Sequence, residues 1–215
     1  ARWAVLAAGF PESVPAVTIV RQCGSSQQAI HFAAQGIMSG AYDVVIASGI
    51  ESMSRVPIGS QSAGADPFGP SVAARYPGGL IPQGISAELI AARSELSRET
   101  LDAFAAESHR RAAAAWRDGR FAGEVVPVPL GDGGVLDRDE TVRDGTTPER
   151  LAALPPAFPV DDWVERFPGI DGRITAGNAS PLSDGASAVL LMSADAAARW
   201  GARPRARVHS VAVTG

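Results

Sequence analysis

Residues 15–52 constrain the fold more than any other part of the chain. "PAVTIV" (15–20) is a β-branched run of the kind that forms a buried strand. "GSSQQAIHFAAQGIMS" (24–39) follows, with Ala29, Ile30, Ala33, Ala34, Ile37 and Met38 on one helical face and Gly40 as a stop. "DVVIASGIES" (43–52) is a second strand candidate. Strand, helix and strand within about 40 residues predict a βαβ unit, hence an α/β domain on a parallel sheet with a right-handed crossover.

The only cysteine, Cys23, lies at the turn between the first run and the helix. A sulfur there meets the positive end of a helix dipole and N–H groups with no intrahelical acceptor. Those are surroundings in which thiols act as nucleophiles, and Gly24 permits a sharp turn and a close-approaching substrate. An inert, buried thiol ending a strand is the other reading, and the stretch alone leaves both open. A nucleophile wants a base. His31 is eight residues on, about 12 Å along a helix axis, and reads as a helix-face residue. His109 sits beside Arg110 and Arg111 on a solvated face, and His209 carries no motif.

The middle changes character. Residues 57–84 are rich in Gly, Pro and Ser and read as a loop, longer than a compact domain keeps without a use. Two helices follow, over 86–96 and 97–121, with Ser97 as N-cap and Gly119 as a stop. "EVVPVPL" (124–130) reads as a short strand, and 131–172 as polar and irregular. Arg143, in "TVRDGTT", is either a phosphate partner or a solvated loop residue. "RITAG" is β-like, "SDGASAVLLMS" contains a buried strand, "SADAAARWG" is a short capped helix, and "ARVHSVAVTG" (206–215) is a final strand. "TAGNASPLSDGASA" (175–188) has the small residues of a loop that can cradle a ligand arm, or of an ordinary turn.

Composition narrows the class. The 215 residues carry a net charge of −4, and all 19 basic residues are arginine, with no basic stripe to suit nucleic acid. No apolar run suits a membrane span. One cysteine excludes an internal disulfide, and no Cys/His set has metal-ligand spacing. A cytoplasmic setting is expected. "ARWAVLAAGFPESVP" reads as the last turns of a helix ended by Gly9, so the chain is expected to begin inside a structural element.

Three stretches together resemble the thiolase family. "QCGSSQQAIHFAAQGIMSGAYDVVIASGIESMSRVP" is similar to the family's nucleophile segment. "LSRETLDAFAAESHRRAAAAWRDGRFAGEVVPV" is similar to the L-S-R-x-x-x-D-x-F-A segment. "TAGNASPLSDGASAVLLMS" is similar to T-A-G-N-(A/S)-S-x-x-(S/N)-D-G-A. They stand in family order and spacing. The resemblance implies the thiolase fold, layered αβαβα, of which this chain is the N-terminal half with an inserted loop domain. The boundaries expected are 1–54 for the core, 55–165 for the coenzyme A-binding loop domain, 166–204 for the return to the core, and 205–215 for the start of the other half.

The resemblance also implies chemistry. The expected reaction is thiolytic cleavage of a 3-ketoacyl-CoA, or its reverse, a Claisen condensation of acyl-CoAs. Cys23 would carry the acyl group and offer its N–H to an oxyanion hole. Ala176, Gly177, Ala179 and Ser180 would line the pantetheine arm, and Arg143 the adenine-nucleotide end. "GLIPQGISAE" (79–88) matches the segment over the acyl and pantetheine pocket. Pro82-Gln83 stands where short-chain members often have His-Met and degradative members Pro-Met, so a longer or bulkier acyl group, such as a steroid side chain, fits better. Coenzyme A enters as substrate, with no permanent cofactor, and the intact enzyme is expected to be a homodimer or homotetramer. The family's N-E-A-F, G-H-P and C-x-G-G-G motifs, which hold a water, the base His and a second Cys, are not in these residues. The 215 residues alone are therefore expected not to turn over. The alternative is a non-catalytic protein that binds coenzyme A or lipid, or a subunit completed by another chain.

Overall fold

The computed structural model describes residues 1–214. In chain order the elements are α1 (Arg2–Ala7), α2 (Ser25–Met38), β1 (Val44–Ser52), a 3-10 turn (Ser60–Ser62), α3 (Gly69–Arg75), α4 (Gln83–Arg93), α5 (Arg98–Arg117), β2 (Val128–Pro129), β3 (Val135–Leu136), α6 (Pro148–Ala152), β4 (Asp184–Met192) and α7 (Ala194–Arg199). The chain divides into two compact units. Unit 1 is Ala1–Pro57 with the chain from Ser183, and unit 2 is Ile58–Leu182.

Unit 1 is built on a helix over a two-stranded ladder. The predicted apolar stripe makes α2, and Gly40, just beyond its end, adopts φ +76°. Ala33 and Ala34 of α2 are buried against Ala47 of β1 and Leu191 of β4, with Ala29, Ile30, Ile37 and Val45 packed around them. Small residues set this spacing. A Cβ on Gly49 would stand 2.6 Å from Ser26 Cβ, and one on Gly36 would strike the Tyr42 ring. β1 and β4 pair antiparallel in an unbroken register from Val44↔Met192 to Ser52↔Asp184. Ser193 caps α7 by accepting from the Ala196 N–H.

This departs from the βαβ expectation. Residues 15–20 form no strand, and Val17 and Val20 are exposed. β-Branched composition favours extended backbone, but a strand also needs a neighbour's N–H and C=O groups, and among the described residues 15–20 has none. The partner of β1 is therefore β4, and the ladder is antiparallel. β4 was expected to be buried; only Leu191 is, and Leu190 on the opposite face is half exposed. The run expected at 206–215 forms no strand over its described residues, 206–214.

Unit 2 is mainly helical. The Ser97 side chain accepts from the Thr100 N–H to start α5, and Gly119 adopts φ +66° just beyond its end. α4 begins at Gln83, three residues before the expected start. Residues 57–84 are not wholly loop, since they hold the 3-10 turn and α3. "EVVPVPL" contributes only β2, in a hairpin with β3. Within 131–172, Thr147 caps α6, with Pro148 at its first turn. Ile85, Ala91, Ala106, Ala113, Leu151, Ile170 and Ile174 are buried. Residues 166–182, assigned from the sequence to the core, bond within unit 2: Arg173 Nη1 donates to Leu96 O at 3.0 Å, and Ala157 N–H to Ile174 O at 2.8 Å. "RITAG" makes a single bridge, Thr175 to Pro156.

Candidate functional site

Cys23 is exposed, which removes the buried-thiol reading. Its turn is tightly made. Gln22 holds φ at +45°, a conformation that few non-glycine residues adopt. The Gly24 N–H then donates to Arg21 O at 3.0 Å and the Ser25 N–H to Gln22 O at 3.1 Å. Ser25 Oγ closes the turn from the helix side, accepting from Arg21 N at 2.7 Å and donating to Gln22 O at 2.7 Å. Arg21 Nη1 reaches Gln28 Oε1 at 2.8 Å, one helical turn further on. The sulfur is thus presented just ahead of α2, where the first turn offers N–H groups with no intrahelical acceptor. An open recess of about 400 Å³ lies beside it, lined by Arg21, Gln22, Cys23, Gly24, Gln27 and Gln28 with Ala212–Thr214.

No histidine bonds to this sulfur among the described residues. His31 is buried on α2 and its Nδ1 has no hydrogen-bond partner. His209 is exposed. His109 was read as a solvated residue, but its Nδ1 accepts the Arg143 N–H at 3.2 Å.

The remaining expected site residues lie in unit 2. Ala176 and Ser180 are exposed, and Gly177 and Ala179 partly buried. Their backbone forms a compact turn: the Thr175 N–H donates to Asn178 Oδ1 at 2.8 Å, the Gly177 N–H to Thr175 Oγ1 at 3.2 Å, and the Ala179 N–H to Thr175 O at 3.0 Å. Gly177 is required by packing, since a Cβ would stand 2.5 Å from Leu151 Cδ2 and 2.6 Å from Leu154 Cδ1. Gln83 is exposed at the first position of α4. Next to it, Gly84 lies against the Phe158 ring, in the segment that bonds to Ile174 and Thr175. Gln83 and Ala176–Ser180 thus flank one common segment, 156–158.

Arg143 is exposed, in a turn closed by Thr146 Oγ1 donating to Arg143 O at 2.8 Å. That turn leads into α6, whose Leu151 backs Gly177. The preceding stretch, "GLIP", is held by Arg166. Its guanidinium donates to the carbonyls of Gly78 and Gly79 and lies 4.9 Å from the Phe167 ring centre.

Another recess, of about 630 Å³ in unit 2, contains none of these residues. Arg98, Glu99, Asp171 and Arg173 line it. Its guanidinium groups are already engaged, Arg98 with Asp102 and Arg173 with Asp171. The Asp171 hydrogen bond strengthens the hold of Arg173 on its proton. Charges so paired leave little to attract an anion.

Sequence reasoning missed the polar groups that support these segments: Glu88, Arg98, Asp102 and Asn178 in unit 2, and the pair Ser54 and Asp184 in unit 1. Glu88 and Asp102 had a signal, since each acid falls on the buried face of its helix. Among the described residues no cluster of His, Cys, Asp and Glu suits a metal ion, and no helix is long and apolar enough to cross a membrane.

Residues 1–195 match the thiolase N-terminal domain family. The chain is 45% identical over 219 aligned positions to the 3-ketoacyl-CoA thiolase of Erwinia tasmaniensis, covering 100% of this chain and 53% of that protein. It is also 45% identical to the steroid 3-ketoacyl-CoA thiolase of Mycobacterium tuberculosis, covering 98% and 51%. Among solved structures, the dimeric peroxisomal thiolase of Saccharomyces cerevisiae superposes with a TM-score of 0.78 at 35% identity, over 93% of this chain and 49% of that one. Human mitochondrial 3-ketoacyl-CoA thiolase in complex with CoA gives 0.76 at 34%, over 94% and 51%. The chain spans about half the length of the relatives it matches. It has the thiolase α/β fold and belongs to the thiolase family, matching its N-terminal domain.

Proposed function

We propose that this chain is the nucleophile-bearing part of a thiolase-type acyltransferase, acting on 3-ketoacyl-CoA or, in reverse, condensing two acyl-CoAs. The observation that carries the reading is Cys23, exposed on a strained turn at the head of α2 that Gly24, Ser25 and Arg21 hold by hydrogen bonds.

The sulfur, as thiolate, attacks the 3-keto carbon. The C2–C3 bond then breaks, and its electron pair leaves with C2 as the enolate of acetyl-CoA, which takes up one proton. The acyl group stays on Cys23 as a thioester. The thiol of a second coenzyme A gives up its proton, attacks that thioester and releases a shortened acyl-CoA, returning the sulfur. N–H groups at the start of α2, that of Cys23 among them, would bear the negative charge on the carbonyl oxygen, the kind of stabilisation that lowers such barriers most. The base for these proton transfers is not assigned to a residue of this chain.

Coenzyme A is a substrate in this scheme. Ala176, Gly177, Ala179 and Ser180 would line its pantetheine arm, Gln83 would lie over the acyl end, and Arg143, exposed in its turn, would meet the nucleotide phosphates. The CoA complex of the human relative supports this reading. A homodimer or homotetramer is the assembly we expect, and the yeast relative is described as dimeric. Identity to a 3-ketoacyl-CoA thiolase and to a steroid 3-ketoacyl-CoA thiolase supports a 3-ketoacyl-CoA substrate, and the acyl group we propose is longer than acetoacetyl. The setting we propose is the cytoplasm.

The test is thiolysis by the full-length protein. It is incubated with coenzyme A and 3-ketoacyl-CoAs of graded length, and loss of the ketoacyl absorbance is followed. The wild type consumes substrate and Cys23→Ala does not. An unchanged rate in Cys23→Ala overturns the nucleophile assignment. Coenzyme A binding without any turnover favours a non-catalytic CoA-binding protein instead.

A further inference from the structure

The larger side chains most completely shut away from solvent are Glu88, Thr175 and Asp102, at 0%, 0% and 1% exposure. All three are polar, two are acids, and all three bond to one short stretch, 174–178. Glu88 Oε1 accepts the Ile174 N–H at 2.6 Å. Asp102 Oδ1 accepts from Asn178 Nδ2 at 3.0 Å, and Oδ2 from Arg98 Nε at 2.8 Å. Arg98 Nη2 in turn donates to Leu151 O at 2.6 Å and Leu154 O at 3.1 Å. Asn178 Nδ2 spends its other hydrogen on Arg173 O at 2.9 Å, and its Oδ1 accepts the Thr175 N–H. Thr175 Oγ1 accepts the Gly177 N–H.

Stability does not call for this arrangement. Buried acids are costly to desolvate, and apolar side chains of similar volume often serve a core as well. Glu88 even leaves Oε2 without a partner. What the network does is fix a backbone. Groups of Ile174, Thr175, Gly177 and Asn178 are each held by a directional bond to α4, to α5 or to one another. Removing any one strands a buried polar group, so the segment has a single satisfied conformation.

We propose that Glu88, Asp102 and Thr175 are positioning residues for coenzyme A. They set the backbone of Ala176–Ser180, and through it govern affinity for the pantetheine arm rather than acyl transfer at Cys23. This rests on the thiolase reading above, in which that segment lines the arm. The assignment differs for each side chain. Glu88 acts as an acceptor for Ile174, a role a glutamine carbonyl can fill. Asp102 must accept from Asn178 and Arg98 together, which an asparagine cannot. Thr175 acts through its hydroxyl, which valine lacks at nearly the same shape.

The experiment is steady-state thiolysis by the full-length protein, comparing wild type with Glu88→Gln, Asp102→Asn and Thr175→Val. The alkylation rate of Cys23 by iodoacetamide is measured alongside. In Asp102→Asn and Thr175→Val the KM for coenzyme A rises about tenfold, while kcat and the alkylation rate stay within about twofold. Glu88→Gln keeps a KM near the wild type. Thr175→Val leaves no vacancy, and so decides the matter if Asp102→Asn fails to fold. An unchanged KM in Thr175→Val overturns the proposal. So does a parallel fall in kcat and alkylation, which marks a general structural role. A wild type that neither cleaves 3-ketoacyl-CoA nor binds coenzyme A overturns the thiolase reading itself, and this proposal with it.

Discussion

Ser54 gives both of its hydrogens to Asp184: its N–H reaches Oδ1 at 2.9 Å and its hydroxyl reaches Oδ2 at 2.5 Å, across 130 residues of sequence. The pair sits where the β1–β4 ladder ends, just past Ser52↔Asp184. It joins "GIESMS" to "LSDGA", two motifs on either side of the whole of unit 2. The Ser54 hydroxyl, followed by its N–H, holds the Asp184 carboxyl below the usual carboxylate range.

A folded-state pKa below the unfolded one adds stability above the unfolded value, about 3.9 for Asp, and that stability is lost as pH falls through the folded value. Asp184→Asn should therefore melt below the wild type at neutral pH, with the gap closing as pH falls through and below 4. Thermal melts of both proteins across that range check it. A gap that does not change with pH would mean that the charge of Asp184 is not what matters. The group is solvent-exposed, so the effect is modest and weakens with salt.

Gly84 and Phe158 make a second pair whose chemistry is steric. A Cβ on Gly84 would stand 2.3–2.4 Å from three ring carbons of Phe158. The ring is rigid, so Gly84→Ala must push it away, at a cost of about 1–3 kcal/mol. Phe158→Leu alone costs some packing. In the double variant, Gly84→Ala should cost less than it does in the wild-type background. Equal penalties in the two backgrounds would sink the steric account, and denaturant melts of the four proteins decide it.

Local pattern made the helices legible. The apolar stripe of α2, the Ser97 cap and the Gly119 stop each depend on residues within a few turns of themselves. The sheet was less so. "PAVTIV" has the composition of a strand, but pairing is a property of two segments, and composition cannot name the partner. Cys23 was legible as a turn residue, and its surroundings as a helix start. What stayed hidden was support from a distance. Glu88 falls on the buried face of its helix, but Ile174 is 86 positions away, and nothing local names it as the partner of that carboxylate. The contact of His109 was hidden for the same reason, since its partner, Arg143, is 34 positions away.

That contact gives a third expectation. His109 Nδ1 accepts the Arg143 N–H, and Thr146 closes the same turn from the other side. His109→Phe keeps the ring volume and removes the acceptor. The Arg143 amide should then exchange with solvent faster by about five- to tenfold, the effect of losing a hydrogen bond worth about 1 kcal/mol. The melting temperature should change little, because the site is exposed. Hydrogen exchange of residues 140–147 reads it directly. Unaltered protection at Arg143 would show that Thr146 alone holds the turn.

The turn under Cys23 gives the last. Gln22 at φ +45° stands in the left-handed region, which costs an ordinary residue about 1–2 kcal/mol relative to glycine and more when the side chain is β-branched. The bonds from Gly24, Ser25 and Arg21 hold it there. Gln22→Gly should fold as well as the wild type or slightly better, since relief of strain offsets the added freedom of the unfolded chain. It should also leave alkylation of Cys23 unchanged, because the turn bonds persist. Gln22→Val should lower stability by about 1–3 kcal/mol and alter the alkylation rate, since the turn must deform to admit it. Melts paired with iodoacetamide kinetics test both variants. If Gln22→Val kept wild-type stability and thiol reactivity, the left-handed conformation would not be what presents the sulfur.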